Sequence, residues 1–346
     1  MYLHKRARAL TVALIALAAI AAAVYAVLSA QGPSGAASAG QAASAPKADP
    51  SALDALPAGG RMLVRAVDPR APRRDGRVYE LSASGMRPAG DLSCKRVYAS
   101  PAGPGLCLLL ADNGIDYDAV VFDGDHAPRR RFAIDGVPDR ARVSQDGRYG
   151  AYTSFDAADS QTYFASSEAV STNTRIVDMR TGRELLRLAD LAVTRNGKPI
   201  TAVGPRDLFT PQYWGVTFAG GDRFYATLGI GRDHHLIEGR VGERTARTIA
   251  ERVECPALSP DGTRIAYKRR IGETNRWRLH VLDLATRRET PLAERRSIDD
   301  QPEWAGDDTV VYSDDKDVFA VPADGGGRPT RVMSGATSPG WLAGPG

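Results

Sequence analysis

Four histidines lie beyond the N-terminal stretch: His126, His234, His235 and His280. Histidine is the commonest metal ligand and the acid–base group that titrates nearest neutrality, so each is a candidate for chemistry. His234 and His235 are adjacent in a run of strand character, and their side chains then point to opposite faces. A two-histidine metal site is not expected from that pair. Oxygen ligands cluster at Asp112-Asn113-Gly114-Ile115-Asp116-Tyr117-Asp118, at Asp123-Gly124-Asp125 and at Asp314-Asp315-Lys316-Asp317. None has the spacing of a calcium loop, and Asp, Asn and Gly in such runs are ordinary turn residues. The part read as folded carries no Gly-x-Ser-x-Gly elbow for nucleophilic hydrolysis. The sequence therefore predicts no catalytic residue, no metal and no cofactor.

Three cysteines remain. Cys94 and Cys107 fall on the first and second strands of one predicted hairpin, roughly opposite each other, and a disulfide between them is expected outside the cytoplasm. Cys255 is left over and reads as a small buried thiol near the inner end of its strand. Aromatic residues in a long insertion supply a different chemistry. Tyr163 and Phe164, with Tyr213 and Trp214 further on, form a candidate binding surface, since aromatic anchors on projecting loops dominate recognition. The alternative is that they cover a blade edge or a channel mouth.

The elements that must position these residues come from a repeat. Its clearest copy is Pro256-Ala257-Leu258-Ser259-Pro260-Asp261-Gly262-Thr263-Arg264-Ile265-Ala266-Tyr267. Ser, Pro and Gly stand where a type I turn wants them, with short β-type runs on both sides, so the unit is a hairpin. Other copies surround Ser144-Gln145-Asp146-Gly147, Ser100-Pro101-Ala102-Gly103, Ala219-Gly220-Gly221-Asp222 and Ala305-Gly306-Asp307-Asp308. Residues equivalent to Leu258 are Ala99, Val143, Phe218, Trp304 and Trp341, and the successive spacings are 44, 75, 40, 46 and 37 residues. Most lie near the ~40–45 residues of a four-stranded propeller blade. The spacing of 75 requires an insertion, supplied by roughly Asp156–Thr172 and Asp190–Gln212. Third and fourth strands follow each hairpin, as in Arg278–Leu284 and Glu289–Leu292.

Arg61–Val67, Arg77–Ala83 and Met86–Leu92 read as strands two to four of a blade that lacks its first. Ser338-Pro339-Gly340-Trp341-Leu342 reads as a first strand with nothing after it. Joining the two removes both open edges. The expected fold is all-β, a six-bladed β-propeller over 59–346 in which the C-terminal strand completes the N-terminal blade.

Residues 1–8 are a basic tail, and Ala9–Ala30 carry no charge. That length crosses a ~30 Å hydrocarbon core as a helix, and the positive flank keeps the N-terminus cytoplasmic. A transmembrane anchor is expected over 9–30, with the propeller extracytoplasmic at the cell membrane. Cleavage of a signal peptide and secretion is the alternative, although Leu28-Ser29-Ala30 puts a bulky residue where a small one is wanted. Residues 31–58, rich in Ala, Ser, Gly and Pro, read as a disordered tether. Net charge is +4, and the basic residues are nearly all Arg. The basic clusters Arg129-Arg130-Arg131 and Arg295-Arg296 are short and isolated, as in a solvated loop, and too short for a nucleic-acid surface.

The Ser-Pro-Asp-Gly-x-x-Ile-Ala-Tyr unit resembles the WD40-like (PD40) repeat of the TolB family. The resemblance covers about 59–346 and is closest at 253–284 and 299–322. It implies a TolB-like propeller, of the type of membrane-anchored TolB-like translocation proteins. TolB carries an α/β domain before its propeller and this chain has none. The same repeat occurs in prolyl-oligopeptidase-type peptidases, whose hydrolase domain has no room here. Two functions remain: a non-catalytic module binding an extracytoplasmic protein or small ligand, or a propeller enzyme, lyase or glycosidase, with its site at the channel mouth.

Overall fold

The computed structural model describes residues 45–67, 76–155, 171–200 and 211–342. The described residues form six sheets, each carrying a four-stranded antiparallel blade. Blade 1 joins the C-terminal strand Ala336–Leu342 to Arg61–Ala66, Gly76–Ser82 and Gly85–Cys94. The register sets Met62 against Trp341 and Arg61 against Leu342. Blades 2, 3, 5 and 6 each start from an inner strand, respectively Arg96–Ala99, Val137–Val143, Glu254–Leu258 and Glu303–Ala305, and run outward in sequence order. Blade 4 starts at Gln212–Phe218. Neighbouring inner strands pack on one another in the order 1-2-3-4-5-6-1, so the sheets form a ring.

The repeat turn explains why each hairpin forms. Ser259 N–H donates to the Arg264 carbonyl at 2.8 Å and Gly262 N–H to the Ser259 carbonyl at 2.9 Å. The Asp261 carboxylate accepts from the Ser259 hydroxyl and the Thr263 N–H. Burial pushes the Asp261 carboxyl up, but these hydrogen bonds outweigh it and hold the group below its usual range. Ser144, Asp146 and Gly147 repeat the arrangement. These turns define one face of the ring, the turn face. Inner strands begin at the opposite, entry face, where the second strand of each blade also ends.

Between blades, apolar side chains interdigitate. Trp304 is fully buried between blades 5 and 6 and donates its indole N–H to the Ala257 carbonyl at 2.7 Å. Cys94 and Cys107 are disulfide-bonded. They do not share a hairpin, because Cys94 ends the outer strand of blade 1 and Cys107 lies in the second strand of blade 2. The bond therefore stitches two blades together across a sequence separation of 13 residues. Loop-closure entropy for that length gives about 3 kcal/mol. Reduction is expected to lower the urea unfolding free energy by that amount, and an unchanged midpoint in reductant would contradict it.

Part of the expected tether is ordered. Lys47–Ala48 adds a fifth strand to blade 6, pairing antiparallel with Met333 and Ser334. Asp49 N–H donates to the Val332 carbonyl at 3.0 Å, and the Asp49 side chain caps a 3-10 turn over Pro50–Ala55. Ala52 is buried, and Leu53 and Leu56 pack against the core around Met333 and Trp341. Composition missed this strap because its few apolar residues suffice once a finished sheet edge receives them. The segment 9–30 lies outside the described residues. Among the described residues no helix is long and apolar enough to cross a membrane.

Candidate functional site: the entry face

At the entry face the inner strands of blades 4, 5 and 1 each contain a residue with positive φ: Gly215 (63°), Cys255 (50°) and Ser338 (59°). The ladders shift register around them, as at a bulge. Only glycine suits position 215, since a Cβ there would stand 2.7 Å from the Cys255 Cα. Such bulges re-aim side chains at the end of a strand.

Charged residues from across the ring meet here. Arg140 of blade 3 donates to the Cys255 sulfur at 3.5 Å and the Asp299 carbonyl at 3.2 Å, and pairs with the Asp139 carboxylate at 2.6 Å. Arg96 of blade 2 pairs with Asp300 at 3.0 Å and donates to the Asp139 carbonyl at 2.7 Å. Lys268 of blade 5 pairs with Asp299 and lies over the Trp277 ring. Deeper along the axis Arg142 of blade 3 reaches Glu303 of blade 6, the blade opposite in the ring, and also donates to the Pro302 carbonyl at 3.1 Å. The space between Arg140, Arg142, Tyr152 and Gln301 is too small to admit a water molecule. Paired charges thus cross the ring from blade to blade at this face.

The electrostatics follow from this pairing. Burial pushes the Asp300 carboxyl up, but Arg96 and Arg140 overcome it and hold the group below its usual range. Burial pushes the Lys268 ammonium down, yet Asp299 leads the charges that raise it above an ordinary lysine. Beside the mouth, Glu254 accepts from His234 Nδ1 at 2.7 Å and from the Trp277 indole at 2.9 Å. Burial opposes ionisation, but these donors and Lys268 hold its carboxyl at about 2.

Three histidines are held below their usual range. Burial, then Arg269 and Arg278, push His280 down to about 4. Burial leads the lowering of His126 and His235 as well. A histidine lowered in the folded state stabilises it fully above the unfolded value of ~6.5, and that contribution is lost as pH falls through the folded value. Thermal stability is therefore expected to drop between pH 6.5 and 4, with His280→Gln flattening the decline. A Tm independent of pH across that window would contradict the assignment.

The aromatic residues fare differently from expectation. Tyr163 and Phe164 lie outside the described residues. Tyr213 and Trp214 stand on no projecting loop. They belong to the inner strand of blade 4, where Tyr213 is buried in the core. Trp214 is half-buried at the entry face, against His234 with ring centroids 5.1 Å apart. The later part of the insertion forms Ala192–Arg195, which pairs parallel with the outer strand of blade 4, and Lys198–Pro199. The acidic runs are turns. Asn113 accepts from the Ile115 and Asp116 N–H groups, and Arg131 pairs with Asp112 and Asp118. Among the described residues no three metal-ligating side chains converge.

Sequence reasoning missed the charged mouth. One signal marked it: Cys255-Pro256, Gln301-Pro302 and Ser338-Pro339 open three inner strands, with ionisable residues beside two of them. It also missed the exposed apolar residues. Among the described residues, the large hydrophobic side chains that stand exposed are Leu110 (37%), Ile115 (79%) and Ile271 (44%). Leu110 ends the second strand of blade 2, Ile115 lies in the following hairpin, and Ile271 opens the equivalent hairpin of blade 5, so all three are at the entry face. A cleft of about 380 Å³ lies elsewhere, between the outer strands of blades 1 and 2, over Leu92, Cys107, Leu109 and Val120.

No protein-family model matches the chain, and no curated protein matches it in sequence. Solved structures do. TolB from Acinetobacter baumannii is similar at 15% identity over 84% of this chain and 69% of that one, with a TM-score of 0.56. A TolB-type protein from Agrobacterium tumefaciens aligns at 14% identity over 81% of this chain and 91% of its own, TM-score 0.46. Oligogalacturonate lyase from Vibrio parahaemolyticus aligns at 11% over 80% and 91%, TM-score 0.39. At such identities the likeness is one of fold: the chain is a six-bladed TolB-like β-propeller.

Proposed function

We propose that this propeller is a non-catalytic binding module, held at the outer surface of the cell membrane by residues 9–30, whose protein partner docks on the entry face. The observation that carries the reading is the placement of Leu110, Ile115 and Ile271. Every exposed large hydrophobic side chain among the described residues sits on the face that also gathers the charged mouth and the half-buried Trp214 and Trp277. Apolar side chains scattered singly are normal on a protein surface; what sets these three apart is that all of them lie on the one face that carries the charged mouth. Blades 2 and 5 are opposite in the ring, so a partner touching both hairpins spans the mouth. A folded protein does this, whereas a small ligand does not.

The mouth itself supports binding over catalysis. General acid catalysis wants a carboxyl or imidazole tuned towards neutrality. Here the shifted carboxyls, Asp300 and Glu254, are held down, and every charge along the axis has an opposite partner.

Burying an isoleucine contributes about 1.5–3 kcal/mol, so Ile115→Asp with Ile271→Asp is expected to weaken partner capture at least about tenfold. The measurement is quantitative recovery of one reproducible partner with the full-length chain from solubilised membranes of its own cells. Ala285→Asp, on a turn-face hairpin, serves as the control. Loss with Ala285→Asp and retention with the double variant would overturn the reading.

A further inference from the structure

The outer edges of the ring are not equivalent. Two of them receive an extra strand from this same chain: Lys47–Ala48 pairs antiparallel with the outer strand of blade 6, and Ala192–Arg195 pairs parallel with that of blade 4. The outer strands of blades 3 and 5, Glu184–Arg187 and Glu289–Pro291, are only four and three residues long. That of blade 1, Gly85–Cys94, is interrupted by a register shift and contains Pro88, which has no N–H to give. Blade 2 differs from all of these. Its outer strand, Pro128–Ile134, runs for seven residues, in unbroken register from Arg131 to Ile134, and among the described residues nothing pairs with its outer side. A bare strand of this kind is a template for another chain.

The two faces of that strand offer different chemistry. Arg129 and Arg131 lie on the face towards blade 1, and their charge is already met. Arg129 pairs with Asp123, and with Asp125 at 3.7 Å, while Arg131 pairs with Asp112 at 3.0 Å and Asp118 at 2.6 Å. On this face the strand flanks the cleft of about 380 Å³ over Leu92, Leu109 and Val120. Arg130 lies on the other face, towards blade 3, where a Cβ on Gly182 would stand 2.9 Å from its Cδ. Its guanidinium donates to the Arg180 carbonyl at 3.1 Å, and among the described residues no carboxylate pairs with it. Arg180 and Arg183, on either side of that hairpin glycine, are exposed as well. A strand laid along 128–134 therefore has an apolar cleft beside one row of its side chains and uncompensated positive charge beside the other.

We infer that the outer edge of blade 2 captures an extended segment of another protein, in which apolar residues alternate with acidic ones. Main-chain hydrogen bonds to the edge supply the affinity, and the alternate side chains supply the choice of partner. The arginines also decide what is refused. Two copies of this edge would set arginine against arginine, which is unfavourable across a strand pair, whereas a carboxylate opposite Arg130 is favourable. Blades 4 and 6 show that the outer edges of this ring take an added strand in either direction.

The test uses a short fluorescent peptide of alternating valine and glutamate, titrated into the full-length chain in detergent micelles and followed by anisotropy. The controls are the same peptide with lysine in place of glutamate, and a copy N-methylated at every amide, which cannot donate to a strand edge. The glutamate peptide is expected to bind more tightly than either control. Arg130→Glu is expected to weaken it about fivefold and to strengthen the lysine peptide. Arg130→Gln, which keeps the stem against Gly182, is expected to fall between the parent and Arg130→Glu, so a loss caused by misfolding is recognised. With the glutamate peptide bound, amide hydrogen exchange should slow at 129–134 and stay unchanged at 184–187. Absence of binding at millimolar peptide, or protection at 184–187 in place of 129–134, overturns the inference. Equal binding of the N-methylated copy overturns it too, since the cleft then takes an apolar group without an added strand.

Discussion

Arg142→Met is expected to cost about 3–5 kcal/mol of folding free energy, because it strands the Glu303 carboxylate in the axis of the ring. Both side chains are buried, and Arg142 is engaged by Glu303, the Pro302 carbonyl and the Tyr98 ring, 4.5 Å away. Removing both charges is a different experiment. Arg142→Met with Glu303→Leu leaves no uncompensated ion, and replacing a buried pair by apolar groups is often close to neutral. The double variant is expected to recover most of the loss, read by urea denaturation as a double-mutant cycle. If the single variant is as stable as the parent, the Glu303 carboxylate is solvated and the pair is not buried as described.

Trp304→Ala is the second large effect, at about 3–5 kcal/mol. The indole is buried between two blades, with the Arg264 guanidinium over its ring at 5.2 Å, and its N–H satisfies the Ala257 carbonyl. Trp304→Phe keeps most of the apolar burial and loses the donor, so it is expected to cost less, of the order of 1–3 kcal/mol for the carbonyl left unpaired. Equal losses in the two variants would show that packing contributes nothing beyond the hydrogen bond.

Trp304 also shows why the fold was legible. Its place after Pro302 matches that of Leu258 after Pro256, and the turn after Leu258 has a local hydrogen-bond scheme, repeated at Ser144–Gly147, that needs Ser, Asp and Gly at fixed offsets. Local geometry of that kind is written in adjacent residues, so the hairpins, the blade count and the inner strands could be read directly. The entry face follows no such rule. Arg96, Arg140, Lys268 and Asp300 lie far apart in the sequence, and only the ring brings them together. Cys94 and Cys107 were paired correctly for an incomplete reason, since the bond spans two blades and not one hairpin. Tyr213 misled because it was read with the insertion that ends at Gln212, whereas Gln212 already opens the inner strand of blade 4. The strap escaped notice because composition measures what a segment can bury alone, and Ala52 and Leu56 bury themselves against a surface that others complete.

The division of labour follows from these particulars. The turn face is held by its own repeats: Asp261 N–H bonds to Asp307 and Gln145 reaches the Pro260 carbonyl, closing turn upon turn. Such a face has little freedom to vary. The hairpins of the entry face carry no shared constraint and are free to differ, as loops on a rigid scaffold do when they hold function.

Covalent surface labelling of the full-length chain, compared between intact membranes and the purified protein, tests this most directly. Residues 111–116 and 271–276 should be shielded in the membrane and reactive once purified, while 144–147 and 259–262 should react equally in both. Shielding confined to 144–147 and 259–262 would place the partner on the wrong face and contradict the account.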